Sequence, residues 1–63
     1  MKQKFIVVEV DGIIRTPIAK NNKPDKYSDP KVFDTFIDAE KWIVKHTYKG
    51  MSFHYDISAI DEK

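Results

Sequence analysis

The chain has 63 residues, eleven basic and ten acidic, a formal net charge of +1, 41% hydrophobic and 13% aromatic residues, and no cysteine. That length allows one small domain (1–63) and leaves no interior for a substrate cavity of roughly 300 Å³. The apolar and aromatic content argues against disorder. The missing cysteines exclude disulfides and thiolate metal sites and fit a reducing, cytoplasmic setting. The near-neutral charge lacks the basic excess of most nucleic-acid-binding domains.

The N-terminal run "KFIVVEV" (4–10) is β-branched and aromatic without a breaker, which predicts a strand. Apolar residues on both of its faces predict a central position. It is too short for a signal core or a membrane span, so a soluble protein without membrane contact is expected. Asp11-Gly12 follows, then Ile13-Ile14. A DG pair between apolar runs predicts a type I′ hairpin and a second strand over 13–17. Pro17 cannot donate to a ladder, so that strand ends there or lies at an edge.

Residues 18–31, "IAKNNKPDKYSDPK", carry lysines at 20, 23, 26 and 31, two asparagines and two prolines. This is turn chemistry. The segment is expected as a long loop over 18–30 with almost nothing to bury. Loops of such length in small domains tend to be functional or poorly ordered.

A short third strand is expected over 31–34. The stretch "TFIDAEKW" (35–42) then opens a helix over about 36–47. Thr35 and Asp38 have the spacing of a capping box, and the acidic residues suit the helix N-terminus. Phe36, Ala39, Ile43 and His46 recur on one face, with Trp42 widening it as the main core anchor. Gly50 is placed to end the helix in the left-handed conformation. "SFHYDISAI" (52–60) alternates, which predicts a half-buried strand with Phe53, Tyr55, Ile57 and Ala59 toward the helix. The expected fold is therefore α+β: a small antiparallel sheet of three to four strands with one helix on one face, in the order β-β-(β)-α-β.

No motif carries chemistry. There is no glycine-rich phosphate loop and no nucleophile elbow. His54 and Asp56 share a strand face, but a lone imidazole–carboxylate pair lacks the third ligand or nucleophile that a metal or catalytic site needs. No enzyme activity, cofactor or metal is expected. The remaining candidates are Lys20, Asn21, Asn22, Lys23, Lys26, Tyr27 and Lys31 in the loop, with His54 and Asp56 on the last strand, as a partner-binding set. They suit an acidic protein surface, or alternatively a phosphate backbone with Tyr27 stacking on a base. A solvated connector is the competing account of the same lysines.

In outline this order of elements is similar to that of a small phage-made inhibitor of host RNA polymerase. The likeness is one of shape alone; the absence of chemistry, the small size, the sheet edges and the long loop are what suggest a small binding module, with a phage or mobile-element inhibitor or adaptor as one form of it. A non-enzymatic protein-binding module is therefore expected, with self-pairing through a sheet edge as one version of it. Nucleic-acid binding through the lysine loop is the alternative.

Overall fold

A computed structural model describes residues 2–62. The elements are β1 (Lys2–Asp11), β2 (Ile14–Pro17), β3 (Val32–Phe33), α1 (Phe36–His46) and β4 (His54–Glu62). All pairings are antiparallel and all involve β1. Val8 pairs with both Pro17 and Asp56, and Phe5 with both Phe33 and Ala59. A strand has only two sides, so β2 and β3 lie end to end along one side of β1 and β4 runs along the other. The expected α+β sheet with one packed helix is what forms, with β1 central.

The hairpin differs from the expected one. Gly12 has φ +63 and Ile13 does not have positive φ, while Asp11 pairs with Ile14. The two-residue turn is therefore Gly12-Ile13, with glycine first as in type II′, and β2 starts one residue late. Pro17 closes β2 at the sheet edge, where its missing N–H costs nothing.

Helix α1 begins as its sequence dictates. The Thr35 hydroxyl accepts from the Asp38 N–H at 3.1 Å, satisfying one orphan donor of the first turn. Its end is not set by Gly50. The helix stops at His46, with Thr47 extended. The last carbonyls are taken by side chains: Thr47 Oγ1 donates to Ile43 O at 2.6 Å, and His46 Nδ1 lies 2.8 Å from Trp42 O. Gly50 does adopt a left-handed φ of +93, but in the turn beyond.

Val7, Ile18, Ala39 and Trp42 form the core, with Phe5, Phe33, Ile43, Tyr55 and Ile57 packed around them. Trp42 is the anchor its size suggested: its ring meets Tyr55 edge-on at 5.2 Å and stacks on His46 at 4.0 Å. Phe36, expected inside, lies half out and touches Phe5 edge-on.

The main correction concerns the loop. Ile18 and Ala19, from the segment expected to bury almost nothing, are only 1% and 2% exposed. Ile18 N donates to Val7 O at 2.9 Å, so the chain continues the β2 row for one more residue before it leaves. Lys31 N returns to Ile18 O at 2.8 Å, and β3 resumes the row. The excursion between is pinned by Asp25 N to Pro17 O, Ala19 N to Lys23 O and Asn22 N to Ala19 O. Its tip is then fixed to the helix: Trp42 Nε1 donates to Asn22 Oδ1 at 3.0 Å, and Lys31 Nζ donates to the same oxygen at 3.0 Å. Asn22 sits at φ +67, where asparagine is better tolerated than most residues.

Asn22→Ala should lower stability by about 1–3 kcal/mol, since it strands the indole N–H and puts alanine, which tolerates positive φ less well than asparagine, in the left-handed turn. Asn22→Gly keeps the backbone comfortable and loses only the bond, so it should fall between alanine and wild type. Urea unfolding followed by Trp42 fluorescence measures this, and equal midpoints for all three chains would show that the bond contributes nothing.

Candidate functional site

The nine candidate residues occupy two separate places. Seven belong to the pinned loop, which leaves the sheet from the β2–β3 row. His54 and Asp56 lie on β4, across β1 from it. Within the loop the residues divide by role. Asn22 and Lys31 are engaged in the contact with Trp42. Asn21 Oδ1 accepts from Lys23 N at 3.1 Å, an Asx turn that shapes the chain locally. Lys20, Lys23, Lys26 and Tyr27 point to solvent, with Lys26 Nζ 5.2 Å from the centre of the Tyr27 ring.

Asp25 holds the outer part of the loop. Its carboxylate accepts from Tyr27 N at 2.9 Å and from Ser28 Oγ at 2.8 Å. These bonds, the Tyr27 one foremost, hold its pKa below the ordinary carboxylate value. A carboxyl that binds its proton less readily in the folded chain stabilises the fold fully above its ordinary pKa. That contribution is lost as pH falls through the lowered value.

On β4 a member missed in the sequence completes the group. Arg15 Nη1 contacts Asp56 Oδ2 at 3.2 Å, and His54 Nε2 lies 3.9 Å from the same oxygen. Arg15 pairs with Val10 from β2, and Asp56 pairs with Val8 from β4. The ion pair therefore straddles β1 on the face away from α1, across the buried Val8 and Val10. Lys4 and Asp34 form a second ion pair further along. The signal for Arg15 was present in the hairpin register, which sets residue 15 against residue 10 once the turn is placed at 12–13.

Tyr55, on the helix side, has its hydroxyl pKa raised, first by loss of water and then by Glu9 and Tyr48. Among the described residues there is no pocket, no cluster of three metal-ligating side chains, and no helix long and apolar enough to cross a membrane.

What the sequence reading missed most is the outward side of α1. Ile37, Val44 and Tyr48 are 61%, 72% and 63% exposed. Ile37 and Val44, seven residues apart, lie on one side of α1, opposite Ala39 and Trp42 and with Lys41 between them, while Tyr48 lies beyond the helix, which ends at His46. Comparison with protein-family models, with curated proteins and with solved structures found no match to this chain.

An NMR titration of Asp25 should give a midpoint below that of the same residue in an unstructured peptide spanning the loop. The Tyr27 amide shift should follow the same midpoint and lose its acid-range response in Asp25→Asn. Coincident midpoints in protein and peptide would contradict the loop geometry.

Proposed function

We propose that this protein is a non-enzymatic protein-binding module, an inhibitor or adaptor that works by occupying a surface of another protein. The observation that carries this reading is the second apolar face of α1. A helix packed on a sheet normally keeps one apolar stripe inward and a polar face outward. Here Ile37 and Val44 carry apolar character onto the solvent side of the helix, and Tyr48 is exposed just beyond its end. Single exposed apolar residues are ordinary, but Ile37 and Val44 at i and i+7 form a sparse apolar stripe that fits docking into a partner's groove. Lys41, within the stripe, favours a groove with an acidic residue at its floor or rim. The reading needs no pocket, and it gives the pinned loop a scaffold role.

The test is the double variant Ile37→Asp, Val44→Asp. Both positions are exposed, so the change should cost no more than about 1 kcal/mol of helix stability. A partner captured by the wild-type chain should be lost by the variant at an essentially unchanged melting temperature. Retention of the same partner would count against the helix as the binding surface.

A second reading rests on Tyr27, 89% exposed beside Lys26: an aromatic face with cations around it suits single-stranded nucleic acid. It predicts gel retardation of an oligonucleotide at low salt, abolished by changing Lys20, Lys23 and Lys26 to Gln. No retardation by the wild-type chain would remove this reading.

A further inference from the structure

Strand β4 is an edge whose protection is limited to three acidic residues, Asp56, Asp61 and Glu62. Its inner side pairs with β1 from Lys2↔Glu62 to Val10↔His54 with no bulge. Its sequence, HYDISAIDE, contains no proline, glycine, lysine or arginine. Those devices commonly prevent edge strands from pairing with other chains. The opposite side of the sheet has them: β2 ends at Pro17, β3 has two residues, and the pinned loop stands between them.

We infer that β4 pairs antiparallel with β4 of a second copy of this chain, about a two-fold axis through Ser58 perpendicular to the sheet. This goes beyond the proposed helix-docking function and uses a different surface. Strand pairing about such an axis keeps both helices on the same side of one continuous sheet. The register sets Tyr55 opposite Asp61, Asp56 opposite Ile60, Ile57 opposite Ala59 and His54 opposite Glu62.

Charge selects this register. No acidic residue faces another across the seam, and all nine residues of β4 are used. A shift that centres the pairing on residue 59 sets Asp56 against Glu62, and one that centres it on residue 56 sets Asp56 against its own copy. Like charges directly opposite are destabilising. Centring on residue 57 avoids such clashes but carries Asp61 and Glu62 beyond the partner's strand. Asp56 also arrives at the seam already partnered by Arg15, which lessens repulsion between the two acidic strands.

Sedimentation equilibrium of the full chain tests the inference. The wild type should behave as a dimer in equilibrium with monomer. Ser58→Lys and Ser58→Asp each place like charges together at the axis and should raise the dissociation constant by roughly five-fold or more. An equimolar mixture of the two variants should associate more tightly than either alone. Circular dichroism checks the fold of each variant, and Ser58→Asp stands in should Ser58→Lys fail to fold. The double variant Ile37→Asp, Val44→Asp should still dimerise. A monomeric wild type, or dimers unaffected by both Ser58 changes, would overturn the inference, as would dimers lost only with the helix variant.

Discussion

The hydrogen bond from the Trp42 indole to Asn22 is the contact on which the arrangement of this small molecule depends. A buried tryptophan brings a large apolar surface and one N–H that needs an acceptor. The helix cannot provide that acceptor, and the sheet beneath is made of Val7, Tyr55 and Ile57. The loop provides it, by holding Asn22 in a left-handed turn that its own backbone closes. The same oxygen receives Lys31, so the tip and the return of the loop are tied to one atom. With the tip held, Ile18 lies against Val7 and the interrupted sheet row resumes at β3. Helix, loop and sheet are thus fixed relative to one another through one side-chain amide.

This economy has a consequence for the surface. A chain of this length buries only about 60% of the surface that it exposes when unfolded. Some apolar groups must therefore remain outside, and their distribution carries information. On the sheet face away from α1, the Arg15–Asp56 pair spans β1 between Val8 and Val10, and both valines are buried. Among the described residues no such cover lies over Ile37 and Val44 on the helix, or over Tyr48 just beyond it. The β4 edge likewise leaves backbone groups without partners on its outer side. One face is covered by an ion pair and one edge is blunted, while the outer side of α1 and the β4 edge are the surfaces that the two proposals use.

Much of the architecture was legible in the sequence because it follows from local chemistry. The Thr35 cap, the β-branched centre of β1, the edge role of Pro17 and the inward Trp42 all follow from residue type and spacing. The failures share a physical cause: each depended on a partner distant in sequence. Ile18 and Ala19 look like loop residues until Val7 is placed beside them. The Asp11-Gly12 pair favours a I′ turn locally, but the register with β2 puts Gly12 first. Gly50 suits a helix stop, yet Thr47 and His46 satisfy the last carbonyls earlier. Of the candidate site residues, Lys20, Lys23 and Lys26 are exposed, as both a partner-binding set and a solvated connector require. Asn22 and Lys31 were read as groups for a partner, although their hydrogen bonds go to the protein itself.

The lysine-rich segment is a structural element locked to the helix, not a free loop. Hydrogen exchange of the Trp42 indole N–H tests it most directly, because that proton reports the bond to Asn22 itself. Its exchange should be slowed to the range of the Val7 and Ile18 backbone amides, with protection lost in parallel as denaturant is added. Indole exchange at the rate of an unprotected tryptophan, beside a protected Val7, would contradict it.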